Sequence, residues 1–234
     1  MPNKIVGSIP NIITLCNLLA GCVAIYMAFH QGEQFGALSG LQCCWIAIAA
    51  AAVFDFCDGA SARLLKAYSN VGKELDSLSD LVSFGVAPGM MVMNIIMQNA
   101  EIPALGFLAL VIPMLGAYRL AKFNVDESQT TSFVGLPIPA NAIFWIGFSG
   151  WIMHYGYPGT GVMIVLAVVV SWLMICKLRM FSLKFKNFDF RENFRRYALL
   201  AGSAAFIAVW GIRGLMWAIV FYILLSLMGR KDFV

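Results

Sequence analysis

The sequence predicts an all-α, polytopic transmembrane helical bundle of six to eight helices, and three observations carry that prediction. Of the 234 residues, 61% are hydrophobic and mean hydropathy is +0.81. Only 12% are charged, about half the share of a soluble domain. The apolar residues form long runs broken by short polar or Gly/Pro-bearing stretches, with no internal repeat or low-complexity segment. One compact membrane-embedded domain over 1–234 is expected.

Residues 1–9 carry one basic residue, Lys4, and Pro10-Asn11 open the first helix, which runs to about Phe29. Proline suits a first-turn position because it has no amide hydrogen to leave unpaired. Leu19-Ala20-Gly21-Cys22 looks like a lipoprotein processing site, but Pro10-Asn11 interrupts the preceding run, so this is expected to be a retained helix. After a polar turn at His30–Gln34, a second helix runs from near Leu38 to about Leu65, with Trp45 near its start. A break at Tyr68–Val71 precedes a third helix from Gly72 to about Gln98.

Pro103 starts a fourth helix ending in Arg119-Leu-Ala-Lys122-Phe-Asn124. A polar loop to Ser132 and Gly135-Leu-Pro137-Ile-Pro139 lead to a fifth helix from Ala140 to Tyr155. A sixth follows Gly161 and ends near Cys176. Two shorter apolar segments, Tyr197–Trp210 and Leu215–Met228, close the chain. About twenty residues are needed to span a bilayer, which is why the count stays between six and eight. The six cysteines lie in apolar runs without metal-ligand spacing and are expected to be small buried hydrophobes.

With eight helices and the N-terminus in the cytoplasm, one side collects Lys4, Arg63, Lys66, Lys73, Arg119, Lys122, the 177–196 cluster, Arg230 and Lys231. The other side holds Arg213, and near it Trp45, Trp151, Tyr155, Tyr157 and Trp210 form an aromatic belt. Positive residues stay on the cytoplasmic side. Basic residues interleaved with Phe in 177–196 can signal nucleic acid. Between two membrane segments they suit an interfacial loop meeting anionic lipid, or a plain solvated linker, and no nucleic-acid partner is expected.

The chemistry concentrates between Asp55 and Asp80. Asp55 and Asp58 are three apart and Asp76 and Asp80 four apart, so each pair shares one helix face. Ionisable groups at membrane depth are costly and mark function. Two divalent cations would balance four carboxylates, and all-oxygen ligands suit Mg²⁺ or Mn²⁺. Gly59, Ala62 and Gly72 allow close approach of a ligand, and Arg63 offers a planar fork to phosphate. Together these point to metal-dependent phosphoryl transfer.

The string Asp55-x2-Asp58-Gly59-x2-Ala62-Arg63-x8-Gly72-x3-Asp76-x3-Asp80 resembles the signature of the CDP-alcohol phosphatidyltransferase family at every defining position. The stretches Pro10-Asn11-Ile-Ile-Thr14-Leu-Cys-Asn17 and Arg119-Leu-Ala-Lys122-Phe-Asn124, with Phe133 to Asn141, resemble its serine-using bacterial members.

The resemblance implies transfer of the phosphatidyl group from CDP-diacylglycerol to the L-serine hydroxyl, with release of CMP. It implies metal ligation by Asp55, Asp58, Asp76 and Asp80, with Asp80 also the general base. CDP-lipid would be bound by Asn11, Thr14, Asp58, Gly59, Ala62, Arg63, Gly72 and Asp76. Arg119, Lys122 and Asn124 suit the serine carboxylate and ammonium, while Arg119 and Lys122 equally suit ordinary helix-end anchors. A homodimer in a bacterial inner membrane, its site facing the cytoplasm, is implied too. Two alternatives stay open: a phosphorylated acceptor such as glycerol 3-phosphate or inositol phosphate, and an ion or proton transporter.

Overall fold

A computed structural model describes residues 4–125, 133–181, 189 and 193–228. Among these, eight helical rods form the bundle, the upper end of the expected range. Helix α1 (Lys4–Phe29) starts before Pro10, which sits inside it rather than in its first turn. A two-residue hairpin, β1 (Gln34–Phe35) and β2 (Leu38–Ser39), turns on Gly36 at φ +65°. Helix α2 (Gly40–Leu65) begins with a reciprocal cap: the Ser39 hydroxyl accepts from the Gln42 N–H at 3.3 Å and the Gln42 side chain accepts from the Ser39 N–H at 2.9 Å. It stops at Lys66, whose φ of 51° is left-handed.

The third rod runs where a helix was expected, Asn70–Asn99, but it is not regular throughout. Helix α3 (Asn70–Asp80) starts two residues before Gly72, capped by Ser69, whose hydroxyl accepts from the Gly72 N–H at 2.9 Å. Directly after Asp80 the rod widens into a π turn over Leu81–Val86, then continues as α4 (Ala87–Asn99). A π turn leaves backbone groups displaced from their usual partners. Here Asn141 Nδ2 donates to the Phe84 carbonyl at 3.2 Å, and Trp145 Nε1 donates to Asn141 Oδ1 at 3.1 Å. Both residues are buried in the core.

The fourth rod opens as a 3-10 turn (Pro103–Leu110) before α5 (Val111–Val125). Helices α6 (Ile138–Tyr155), α7 (Thr160–Ile175), α8 (Phe194–Trp210) and α9 (Gly214–Met228) follow. Strands β3 (Phe133–Val134) and β4 (Arg179–Met180) pair antiparallel at the end where α6 begins. Helix α1 packs along α2 and against α3, the π turn and α4; α6 packs on α9 and α5 on α7.

Among the described residues, five stretches are long and apolar enough to cross a membrane: Ser8–Phe29, Gly40–Leu65, Asn70–Asn99, Pro103–Val125 and Phe194–Met228. The last doubles back. Phe206 and Phe221 would lie about 22 Å apart along a straight helix, yet their ring centroids are 5.8 Å apart. The protein is therefore a polytopic helical membrane protein.

Several expectations need correction. Cys22 and Cys57 are exposed, and of the six cysteines only Cys44 is buried. Trp45 does not stand in an outer belt; it is buried and donates to Ser149 Oγ at 2.8 Å. Arg213 does sit at that end, its guanidinium 5.4 Å from the centroid of the Tyr155 ring. Half of the 177–196 stretch, including Lys184, Lys186 and Arg191, lies outside the described residues, as do Arg230 and Lys231.

Candidate active site

Three helices meet at the end of the bundle where α1 begins and α2 ends. The last turns of α2 carry Asp55, Asp58, Gly59, Ala62 and Arg63, and α3 carries Gly72, Asp76 and Asp80. The left-handed stop at Lys66 and the Ser69 cap reverse the chain within four residues, so the two motif halves face each other. Helix α1 lies against both.

All eight residues expected at the CDP-lipid line one cavity of about 230 Å³. Asn11 and Thr14 come from α1, Asp58, Gly59, Ala62 and Arg63 from α2, and Gly72 and Asp76 from α3. Tyr68, Ser69 and Lys73 also line it and were missed, because loop and first-turn residues carry no spacing signal. Gly72 sits at a close approach: a Cβ there would lie 3.0 Å from both Asn11 Oδ1 and Ser69 Oγ.

Three of the four expected metal ligands converge. Carboxylate oxygens of Asp55, Asp76 and Asp80 lie within 4.8 Å of one another. Asp58 stands outside this triad, its Oδ2 accepting from Thr14 Oγ1 at 2.6 Å. Asp76 belongs to both features, lining the cavity and joining the triad. Its Oδ1 is buried without a hydrogen-bond partner. Among the described residues no Lys or Arg pairs with these carboxylates. Like charges this close, with a buried oxygen unmatched, make a donor set that fits a hard divalent cation.

Asp80 has one partner that sequence reading did not single out. Asn17 Nδ2 donates to its Oδ1 at 3.2 Å. The available signal was an amide inside an apolar membrane helix, one turn after Thr14.

The residues expected at serine are divided. Arg119 is buried, with its Nε unpartnered, and shares a small cavity with Lys122, Val134 and Met174. Lys122 is exposed. Asn124 does not line that cavity: its Nδ2 donates to Ser77 Oγ at 3.0 Å and Glu74 Oε2 at 3.4 Å, while its carbonyl accepts from Lys73 Nζ at 3.0 Å.

The family model for CDP-alcohol phosphatidyltransferase matches residues 7–177. A CDP-diacylglycerol–serine O-phosphatidyltransferase of Bacillus subtilis (strain 168) is 34% identical over 175 residues, covering 73% of this chain and 88% of that protein. One of Methanocaldococcus jannaschii is 32% identical over 172 residues, 74% of this chain and 73% of the other. One of Mycobacterium tuberculosis (strain H37Rv) is 32% identical over 178 residues, 67% of this chain and 58% of the other.

Proposed function

Because the chain belongs to the CDP-alcohol phosphatidyltransferase family, we propose that it is the transferase that moves phosphatidyl from CDP-diacylglycerol to L-serine. The observation that carries this reading is the junction at Asp76, where the cavity lined by the family motif meets the carboxylate triad. The serine assignment rests on the names of the relatives and on Arg119.

In this reading Arg63 and the small residues Gly59, Ala62 and Gly72 seat the CDP group, with Asn11 and Thr14 closing the cavity from α1. Asp55, Asp76 and Asp80 hold divalent cation, Mg²⁺ or Mn²⁺, with Asp58 beside them. When bound, it neutralises pyrophosphate charge and favours departure of CMP. Arg119 takes the serine carboxylate in a charge-assisted bond. Asp80 accepts the hydroxyl proton as the serine oxygen bonds to the lipid-bearing phosphorus. The bond from that phosphorus to the CMP oxygen breaks, so phosphatidylserine and CMP form. One domain in a bacterial inner membrane, homodimeric and with its site on the cytoplasmic side, accommodates a soluble nucleotide product. The cations Arg63, Lys66, Lys73 and Lys122 at this end support that orientation.

A phosphorylated acceptor has one observation in its favour: Arg119 and Lys122 share a cavity, and two cations suit a phosphate. The deciding experiment is CMP release by purified protein with CDP-diacylglycerol and Mg²⁺ or Mn²⁺, supplying L-serine, glycerol 3-phosphate or inositol phosphate separately. Serine-dependent release is expected. Release with only a phosphorylated alcohol overturns the acceptor. No release with any of them, in protein that binds metal, leaves transport as the better reading.

A further inference from the structure

We propose that Asn17 is a positioning residue that holds Asp80 in the carboxylate cluster. Asn17 is fully buried within α1 and does not line the nucleotide cavity. Its amide nitrogen donates to Asp80 Oδ1 at 3.2 Å, and its amide oxygen has no partner. Burying an amide half-satisfied is costly, so what it does engage carries weight.

A second tie runs the other way. Ser83 Oγ donates to the Asn17 backbone carbonyl at 3.0 Å. Ser83 is fully buried and lies in the π turn that starts directly after Asp80. Gly21, one turn further along α1, makes room for it: a Cβ there would stand 2.9 Å from Ser83 Cα. The backbone on both sides of this contact is therefore held.

Stapling two rods together is the simpler role for an amide in a membrane helix. That role is already filled at the far end, where α1 and the turn that follows it meet α4. Gln31 Nε2 donates to the Met91 carbonyl at 2.9 Å, and Asn94 Nδ2 donates to the Ala28 carbonyl at 2.8 Å. Both bond backbone. Asn17 instead bonds a carboxylate of the cluster. Partners behind metal ligands fix ligand orientation, and their loss costs about 10–100-fold in metal affinity or activity.

The inference rests on the metal role proposed for Asp80, and its test reads metal apart from turnover. Mn²⁺ binding by full-length protein in detergent is followed by electron paramagnetic resonance, with thermal unfolding of the metal-free form and serine-dependent CMP release recorded in parallel. Asn17→Ala is expected to weaken Mn²⁺ binding about tenfold with little change in metal-free unfolding. Gln31→Ala, which removes a bond tying the turn after α1 to α4, lowers the unfolding temperature and leaves Mn²⁺ affinity within about twofold. If Asn17→Ala does not fold, Ser83→Ala decides, with a smaller loss in the same direction.

Mn²⁺ affinity within twofold of wild type in the folded variant overturns the proposal, as does equal loss in Gln31→Ala. Wild type that binds no Mn²⁺ overturns it too. Wild type that binds Mn²⁺ but gives no CMP with serine sinks the serine reading alone, and the comparison of variants still decides the role of Asn17.

Discussion

Thr14 Oγ1 donates to Asp58 Oδ2 across 2.6 Å, joining α1 to α2 between residues 44 apart in sequence. The same hydroxyl lies 3.0 Å from the Pro10 carbonyl, four residues back in the same helix, the usual reach of a helical threonine. This contact sits on the wall of the cavity. Thr14→Val keeps the shape and removes the donor to a buried carboxylate, a loss of about 1.5–3 kcal/mol. The KM for CDP-diacylglycerol should rise roughly ten- to a hundredfold, and Thr14→Ser should restore it. An unchanged KM would detach Asp58 from nucleotide binding.

Asp80 lies in the triad but does not line the cavity. Asp80→Asn should therefore bind CDP-diacylglycerol and fail to turn it over, with kcat reduced by about 10²–10⁴-fold as for a lost general base. Equilibrium binding and single-turnover CMP release separate the two effects. Full activity would remove Asp80 from the proton path.

Arg119 and Asn124 should respond differently. Arg119→Ala removes the charged partner of the serine carboxylate, about 1.5–3 kcal/mol, so the KM for serine should rise at least about tenfold while that for CDP-diacylglycerol holds. Asn124→Ala should change the serine KM by less than about threefold, because its side chain is committed to Ser77 and Glu74. An unaltered serine KM in Arg119→Ala would exclude the ligand role.

Chelation tests the carboxylate triad directly. Excess EDTA should abolish CMP release, and Mg²⁺ or Mn²⁺ should restore it. Asp76→Asn should raise the metal concentration needed, since Asp76 Oδ1 has no protein partner. Persistent activity in EDTA would separate the triad from metal.

Gly147 in α6 faces the backbone of α9, where an added Cβ would stand 3.0 Å from Leu215 C and Met216 Cα. Backbone cannot yield as a side-chain tip does, so Gly147→Ala should destabilise by about 1–3 kcal/mol. A lower thermal midpoint with KM values unchanged is expected. An unchanged midpoint would show that α6 and α9 can separate freely.

The motif spacing made the site legible because two short helical faces obey the helix period strictly, and the reversal at Lys66–Ser69 turns one onto the other. Six of the eight cavity residues lie in that motif, and Asn11 and Thr14 came from the resemblance of the first helix, whereas Asp58 stands outside the triad, bonded to Thr14 of α1. Such a cross-helix bond leaves no periodic trace. Hydropathy found the rods but misplaced two of their starts, at Asn70, where the Ser69 cap decides, and at Lys4. Pro10 was placed in a first turn because proline favours it, yet the helix runs through. The π turn at Leu81–Val86 was invisible, since Leu-Val-Ser-Phe-Gly-Val reads equally well as ordinary helix.

That turn leaves the angular phase of the rod alone. A π turn holds one residue more than an α turn, but each of its residues rotates the chain by less than the roughly 100° of an α-helical residue, so the extra residue is wound into the same rotation. Deleting one residue between Leu81 and Val86 would let the rod relax to regular pitch, with Asp76, Asp80 and α4 keeping their faces. What the deletion would take away is the displaced backbone carbonyl of Phe84, which Asn141 now holds at 3.2 Å. The grip of α6 on this rod therefore hangs on a single surplus residue.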